Sequence, residues 1–256
     1  MKFKLLDYAV TDRVAEITMR REPVNAINHA LIEEINEAYR TANADTGVRA
    51  IILTSAFTNA FSAGMDLAMM RTASGLDLRR FLEKLYYEMH DLQYRMKKPT
   101  IAALTGPARA AGVTLAVSCD VLIASDTATF GYPEINIGLI PAMHFVHLPR
   151  QIGRHKAFEL LFSAKPISAE EACDRGLVNR VVPAGQVKNE ARALAQEFCS
   201  KSPLAMELAR TSFMRANDYE YRRSIENVVE TICVMMETED AREGLLAFNE
   251  KRPPRW

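Results

Sequence analysis

Short apolar segments that alternate with amphipathic segments are the feature that most restricts the fold of this 256-residue chain. Ala50–Thr54 and Ile101–Thr105 are compact apolar runs, typical of strands buried on both faces of a sheet. Between the loosely alternating residues 9–19 and the first of these runs, apolar side chains recur at a helical period over residues 31–42. The order strand, helix, strand predicts an α/β fold with parallel strand pairing.

The C-terminal quarter has a different pattern. From Gln186 onward the chain reads as helical, with a new helix at Pro203 and a long one over Asp218–Glu239. We therefore divide the chain into an α/β core, residues 1–195, and a helical region, residues 196–256. Apolar side chains of the long helix either cap the protein's own core or meet partner subunits, and the sequence leaves both open. These side chains are Ile225, Val228, Val229, Ile232 and Val234–Met236.

Charge and composition exclude several functional classes. Lys+Arg and Asp+Glu balance at 32 each, so no overall field attracts nucleic acid or an anionic membrane. The most hydrophobic stretch, Ala110–Cys119, is too short to span a bilayer. Scattered cysteines and an N-terminus without a secretory pattern lead us to expect a cytoplasmic protein.

Common catalytic signatures are missing from the sequence. It contains no GxSxG, GxxxxGK[ST], GxGxxG or HExxH pattern, which disfavours serine-hydrolase, P-loop, dinucleotide and zinc-protease chemistry. His144 and His147 form an HxxH pair without a third ligand at a suitable spacing, so no metal site is predicted.

Two small-residue turns and one carboxylate form the candidate site. Phe61–Leu67 (FSAGMDL) and Thr105–Thr114 (TGPARAAGVT) each follow a predicted strand and precede a helix, where free backbone N–H groups are available. Tyr132–Ile135 (YPEI) places Glu134 directly after a proline. This combination predicts an oxyanion-binding site with a single acid/base residue.

Linked sequence blocks carry a family resemblance over nearly the whole chain. These blocks are AIILT followed by FSAGMDL, KPTIAALTGPARAAGVTLAVSCDVLIAS, FGYPEINIGLIP, LPRQIGR, PISAEEACDRGLVNRVV and EDAREGLLAFNEKRPPRW. In order and spacing they resemble the crotonase superfamily, the enoyl-CoA hydratase/isomerase family. The resemblance implies a spiral of ββα repeats with a C-terminal helical trimerisation region, and a homotrimer or dimer of trimers. It implies an acyl-CoA thioester as substrate and no cofactor apart from the coenzyme A that the substrate carries.

The resemblance also assigns binding roles by position. Met65 and Ala111 would supply the two backbone N–H donors that stabilise an enolate oxyanion. Ala110 and Ala111 stand where glycines are common, so a positive φ there would introduce strain. Coenzyme A would lie along the backbone of Val24, Ala26, Ala63, Asp66, Leu67 and Ala68. Lys251, Arg252 and Arg255 either meet its phosphates or form a solvated basic tail.

Acid/base residues decide the reaction. Glu134 matches the second of two glutamates used by hydratases, whereas Thr114 occupies the position of the first. A threonine hydroxyl binds water but does not exchange a proton near neutral pH as a carboxylate does. One carboxylate suffices to move a proton between C2 and C4, so we favour isomerisation over hydration. The alternative for Glu134 is an ion pair with Arg109.

The segment IPAMHFVHLPR departs most from the family pattern, and we read it as a loop along the acyl pocket. His144 in this segment is either a second acid/base group or a packing residue, whereas His147 reads as structural. Three alternatives therefore stay open: a hydratase with a non-standard site, thioester hydrolysis or decarboxylation using His144, and a catalytically weak acyl-CoA-binding subunit.

Overall fold

The structure, a computed structural model, describes residues 3–217 and 221–255, without the side chains of residues 221–224 and 226–228. Its strands are β1 Leu6–Thr11, β2 Val14–Met19, β3 Ala50–Ser55, β4 Thr100–Leu104, β5 Ala108–Arg109, β6 Val121–Ser125, β7 Thr129–Gly131, β8 Ile167–Ser168 and β9 Arg180–Val182. The predicted strands are confirmed, with β1 beginning three residues before the predicted start at Ala9 and the other bounds agreeing to within about two residues.

Helices lie in the longer connections between these strands and make up most of the described C-terminal region. They are α1 His29–Ala44, α2 Leu67–Thr72, α3 Gly75–Leu82, α4 Met89–Tyr94, α5 Ala111–Val117, α6 Ala142–Ile152, α7 Arg154–Ser163, α8 Ala169–Asp174, α9 Val187–Cys199, α10 Pro203–Asn217, α11 Tyr221–Met235 and α12 Glu239–Asn249. A π-helical turn, Glu83–Glu88, joins α3 to α4, and 3₁₀ turns cover Pro133–Ile137 and Ala184–Gln186.

The larger sheet has the strand order β1-β2-β3-β4-β6-β9. Only β1 and β2 pair antiparallel, and each later pair is parallel. Every residue of β3 and of β4 is buried, because helices cover both faces of the sheet. On one face, side chains such as Ile52 and Ile101 pack against α9, and on the other, Ile51 and Leu53 join the main core. This confirms the prediction of buried parallel strands.

A second row of short pairings runs beside the larger sheet. Ile27 bridges Met65, Ser62 bridges Ala108, and β5 pairs with β7, all parallel. Strands β2, β3, β4 and β6 of the larger sheet are thus each followed along the chain by a segment of this second row. After β2, β3 and β4, that segment is followed in turn by a helix. This repeat is the ββα spiral that the family resemblance implies.

The helical C-terminal region packs on the core of its own chain. Ile225, Val229 and Ile232 of α11 are buried here, as in the self-capping alternative, whereas Val234 is 70% exposed. The side chain of Val228 lies outside the described residues. The helix predicted over Asp218–Glu239 is wrong in its C-terminal extent: α11 ends at Met235, and Thr238 caps the separate helix α12. Asp218 itself also lies outside the described residues.

The proposed boundary at residue 195 falls inside α9, which packs across β3, β4 and β6. Helix α10 is tied to the core by Arg210, whose guanidinium bonds Asp120 and the carbonyl of Gln93. The helical region therefore adjoins the elements that carry the candidate site.

Candidate functional site

The first small-residue turn is held by its neighbours in the second row of pairings. Ile27 N–H donates to Gly64 O at 2.7 Å, and Asp66 N–H donates to Ile27 O at 2.9 Å. In this parallel bridge the N–H of Met65 points away from Ile27. It makes no hydrogen bond within the described part of the chain, which leaves it available for a ligand.

Buried Asn25 fixes the path of this turn. Its side-chain amide donates to Ser55 Oγ at 2.8 Å and to Phe61 O at 3.0 Å. Its backbone has φ of +51°, a left-handed conformation that asparagine tolerates better than most residues. Ser62 Oγ in turn donates to Asn25 O at 2.8 Å. The loop before α1 and the first turn therefore form one hydrogen-bonded unit.

The second turn ends in a strained residue. Ala110 precedes α5 with φ of +47° and ψ of −124°, a region that costs an alanine roughly 1–2 kcal/mol. Its N–H donates to Gly131 O at 2.9 Å, and its carbonyl accepts from Val113 N–H at 2.8 Å. The next N–H, that of Ala111, lies in the first turn of α5 and has no acceptor among the described residues. The strain anticipated for this turn is present at Ala110.

Glycines allow the two turns to touch. Gly64 has φ of +91°, and a Cβ there would lie 2.9 Å from Arg109 O and 3.5 Å from Ala111 N. A Cβ at Gly112 would lie only 2.6 Å from Ser62 O. The backbone of Met65, next to Gly64, is consequently close to that of Ala111, as a two-donor oxyanion site requires.

Glu134 lies at the start of the 3₁₀ turn Pro133–Ile137 and is buried, with 7% of its surface exposed. Its Oε2 has no hydrogen-bond partner among the described residues. Burial raises the pKa of this carboxyl to about 7. The alternative ion pair with Arg109 is not formed, because that guanidinium donates to Thr129 O, Thr129 Oγ1 and Ala108 O. A carboxyl with such a pKa can both accept and release a proton at neutral pH.

Thr114 is completely buried on α5, one helical turn beyond Ala111. Its Oγ1 has no hydrogen-bond partner within the described residues. Burying a hydroxyl without a hydrogen bond costs free energy. This group is therefore a candidate to bind a ligand or a water molecule.

The segment read as a loop is helix α6, and the loop prediction is wrong. His144 and His147 are one turn apart on α6, and Pro149 is accommodated near its C-terminal end. Nδ1 of His144 is 2.9 Å from Nε2 of His147, and Nε2 of His144 is 3.8 Å from Glu134 Oε1. Burial lowers the pKa of His144 to about 3, so the ring is neutral at physiological pH. In this state it donates or accepts hydrogen bonds, but it does not act as an imidazolium acid.

Residues assigned to coenzyme A lie together in the structure. The N–H of Ala63 donates to Val24 O at 3.0 Å. Asp66 caps α2 by accepting from Ala68 N–H at 3.1 Å, and it pairs with Arg21 at 2.6 Å, which also binds Ala26 O. Leu67 begins α2.

Of the three basic side chains near the C-terminus, that of Arg252 is engaged by carboxylates of its own chain. Arg252 forms ion pairs with Glu243 and Glu250, both at 2.6 Å. The backbone N–H of Arg255 also donates to Glu243, at 2.6 Å. The side chain of Arg252 would therefore have to leave two carboxylates to meet a phosphate.

Aromatic and histidine side chains near Glu134 were missed by the sequence reasoning. The ring of Tyr132 packs edge-on against His144, with centroids 4.3 Å apart. The Glu134 charge adds to the burial that raises the pKa of Tyr86, in the π-helical turn, and of Tyr132. His90 on α4 interacts electrostatically with His144. The YP of YPEI could have indicated Tyr132, but nothing in the sequence places α4 beside α6.

Two negative findings concern the described residues. No group of three or more His, Cys, Asp or Glu side chains in residues 3–217 and 221–255 is arranged to hold a metal ion. Over the same residues, no helix is both long and apolar enough to cross a membrane.

Comparison with known proteins adds a family assignment to this geometry. The family model described as "Enoyl-CoA hydratase/isomerase" matches residues 10–256. A Bacillus subtilis (strain 168) protein named "Probable enoyl-CoA hydratase" is 34% identical over 253 residues, covering 98% of each chain. A Syntrophomonas wolfei protein named "Crotonyl-CoA hydratase" is 34% identical over 91% of this chain and 90% of its own.

Solved structures agree with the fold. The crystal structure of an enoyl-CoA hydratase/isomerase from Xanthobacter autotrophicus Py2 superposes with a TM-score of 0.88 at 32% identity, over 98% of both chains. That of a carnitinyl-CoA hydratase from Mycobacterium avium gives 0.88 at 33% identity, again over 98% of both chains. The chain therefore belongs to the enoyl-CoA hydratase/isomerase family of the crotonase superfamily.

Proposed function

We propose that the protein isomerises the double bond of an enoyl-CoA, moving a proton between C2 and C4 of the acyl chain with Glu134 as its single acid/base residue. The observation that carries the proposal is a buried carboxyl with a pKa near 7 and one oxygen that has no hydrogen-bond partner among the described residues. The position of the first hydratase glutamate holds Thr114, whose hydroxyl is uncharged. Coenzyme A enters as part of the substrate, and the chemistry needs no further cofactor.

The enolate formed by removing the first proton carries its charge on the thioester oxygen. The N–H groups of Met65 and Ala111 supply donors for that oxygen, because neither has an acceptor in the described part of the chain and Gly64 lets the two backbones approach. Removing one such donor in a well-studied enzyme costs roughly 10²–10³ in rate. Glu134 then returns the proton at the far end of the delocalised system. Residues Val24, Ala26, Ala63, Asp66, Leu67 and Ala68 are proposed to line the coenzyme A site.

Hydration is the second candidate, supported by the names of the relatives above. Thr114 Oγ1 and Glu134 Oε2 both lack partners among the described residues, and together they would suit a bound water. Under this alternative the threonine hydroxyl helps to hold the nucleophile. Under isomerisation it does not take part.

Turnover of 2-enoyl-CoA and 3-enoyl-CoA by wild type and by Glu134→Gln tests the proposal. We expect isomerisation of the 3-enoyl-CoA, slow hydration of the 2-enoyl-CoA, and a loss of roughly 10²–10⁴ in kcat in Glu134→Gln. Glu159→Gln, on the exposed face of α7, is the matched control and should keep wild-type rates. Brisk hydration of the 2-enoyl-CoA would contradict isomerisation, and wild-type rates in Glu134→Gln would remove this residue from the mechanism.

Thr114→Val separates the two candidates, because it replaces the hydroxyl by a methyl group of similar shape. Isomerisation should continue within a few-fold of the wild-type rate. A loss of activity confined to hydration would favour the second candidate. Binding of both acyl-CoAs without turnover of either would indicate an acyl-CoA-binding subunit instead.

A further inference from the structure

Helix α6 presents two buried histidines as a hydrogen-bonded pair. Nδ1 of His144 and Nε2 of His147 are 2.9 Å apart, and the rings stand nearly perpendicular at 86°. His144 is 1% exposed and His147 is 5% exposed. The remaining nitrogen of His144, Nε2, lies 3.8 Å from Glu134 Oε1 and, like Nδ1 of His147, has no hydrogen-bond partner among the described residues, although the Ala110 backbone also acts on the His144 ring. The three side chains therefore lie in series.

Counting protons restricts how the pair is arranged. Burial lowers the pKa of both rings below its usual value, so each carries a single N–H. If His147 Nε2–H donates, His144 must bear its proton on Nε2, which then faces the Glu134 carboxylate. In this arrangement the lone pair on His147 Nδ1 accepts no hydrogen bond, which costs little free energy.

The opposite arrangement of the two protons has a higher free energy for two reasons. If His144 Nδ1–H donates, its bare Nε2 lone pair faces a carboxylate oxygen. The proton of His147 must then sit on Nδ1, as a buried donor without an acceptor, and an unmade hydrogen bond of this kind costs about 1–3 kcal/mol. The first arrangement is therefore favoured whenever Glu134 is ionised.

We propose that His147 is a positioning residue that holds His144 in the tautomer with its proton on Nε2, so that His144 presents an N–H donor to Glu134. The effect on Glu134 rests on the proposed function, whereas the tautomer does not. A separation of 3.8 Å exceeds a hydrogen bond, and such contacts at active sites tighten when substrate binds. Once His144 donates to Oε1, the other oxygen, Oε2, which has no partner among the described residues, is left to take the substrate proton.

The surroundings of the pair favour this assignment. Tyr132 packs on His144 from the strand side, Tyr86 faces Glu134 from the π-helical turn, and His90 approaches from α4. Burial raises the pKa of both tyrosines and lowers that of His90 to about 4. At pH 8 these described neighbours are neutral, so the Glu134 carboxylate supplies the local charge.

Nitrogen-15 NMR of histidine-labelled protein at pH 8 tests the tautomer directly and needs no turnover. Two-bond proton–nitrogen correlations distinguish a protonated from a bare ring nitrogen, and a His144→Gln sample assigns the signals. We expect His144 and His147 both to carry their proton on Nε2. Finding His144 protonated on Nδ1 would overturn the proposal, whatever the activity.

Two variants at residue 147 test the consequence for Glu134. His147→Gln keeps an N–H near the Nε2 position and should preserve the tautomer. His147→Leu removes it, so His144 should populate both tautomers and donate less to Glu134. The pKa of Glu134 should then rise, moving the acid limb of kcat/KM upward by roughly half to one pH unit.

Identical tautomers and pH profiles in the Leu and Gln variants would overturn the proposal. Should His147→Leu fail to fold, the wild-type and Gln spectra still decide the tautomer. If the wild type turns over neither enoyl-CoA, the proposed function fails, and carbon-13 titration of the Glu134 carboxyl replaces the pH profile as the readout.

Discussion

Oε1 of Glu134 lies 3.8 Å from Nε2 of His144, and both side chains are almost completely removed from water. Burial acts on the two groups in opposite senses, because it penalises the charged form of each: it raises the pKa of the carboxyl and lowers that of the imidazole. At neutral pH the pair therefore combines a carboxyl that is near its midpoint with a ring that stays neutral. Only the carboxyl exchanges protons in this range.

The pH dependence of turnover follows from this pair. A general base must be ionised in the free enzyme, so kcat/KM for isomerisation should rise with pH and level off above about 7, the pKa of Glu134. Initial rates measured from pH 5 to 9 at low substrate check this. A profile that is flat from pH 5 upward would contradict a raised pKa at the catalytic carboxyl.

Stability should depend on the same carboxyl. The pKa of Glu134 is about 7 in the fold against 4.5 for the unperturbed group. The unfolded chain therefore loses this proton first, and wild type loses stability as pH rises from 4.5 to 7. Glu134→Gln carries no such charge, so its stability relative to wild type should increase by about 3 kcal/mol between pH 4.5 and 8.

Urea unfolding of both proteins at pH 4.5, 6 and 8 measures this difference, with Glu159→Gln as the exposed control. A gap between wild type and Glu134→Gln that does not change with pH would show that Glu134 is ionised normally in the fold.

Contact between the two turns depends on Gly112. A Cβ at this position would lie 2.6 Å from Ser62 O and 2.8 Å from Ser62 Cβ, distances that side chains do not tolerate. Gly112→Ala should therefore cost at least about 2 kcal/mol of stability and displace the N–H of Ala111. Gly185→Ala is the control, because a Cβ there meets nothing within 4 Å. Thermal unfolding should separate the two variants clearly, and equal melting temperatures would contradict the packing described.

Much of the core was predictable from the sequence, because buried parallel strands leave a local signature. AIILT and IAALT are apolar up to their final threonine, and both lie in central strands except for the last residue of IAALT. The two small-residue turns were also visible in the sequence, and the structure brings their residues into contact.

The surroundings of Glu134 were not predictable in this way. Helix α6 was read as a loop because the family resemblance implies a pocket loop here, yet the segment is helical over Ala142–Ile152 and continues through Pro149, which removes one N–H from its last turn. His90 and His144 are 54 positions apart, and only tertiary packing brings α4 near α6. Arg109 appeared to be a partner for Glu134, but its guanidinium is taken up by Thr129.

The strain at Ala110 can be measured by comparing glycine substitutions at Ala110 and at its neighbour Ala111. Glycine adopts φ of +47° without the steric cost that alanine bears, whereas Ala111 already has helical geometry. Both substitutions to glycine remove a buried methyl group, so that loss cancels between them. Ala110→Gly should be more stable than Ala111→Gly by about 1–2 kcal/mol in urea unfolding. The reverse order would mean that the turn is not strained.

The attachment of the C-terminal helices to the site can be tested at Arg210. Its guanidinium bonds both carboxylate oxygens of Asp120, at 2.9 and 3.0 Å, and also the carbonyls of Gln93 and Met96. Asp120 in turn accepts from Thr100 N–H at 2.8 Å, at the start of β4. Arg210→Met would remove four hydrogen bonds of a buried guanidinium and the charge partner of Asp120, which keeps its two bonds from Thr100. We therefore expect a loss of roughly 3 kcal/mol in the free energy of unfolding.

Arg192→Met provides the matched control for that loss. Arg192 pairs with Glu16 at 2.6 Å, but its side chain is 56% exposed, and an ion pair of this kind contributes about 1 kcal/mol or less. If Arg210→Met unfolds at the same urea concentration as Arg192→Met, the Arg210 pair does not anchor α10. If it is destabilised as expected, its turnover measured well below the melting temperature should stay near wild type, because Arg210 touches neither turn of the candidate site.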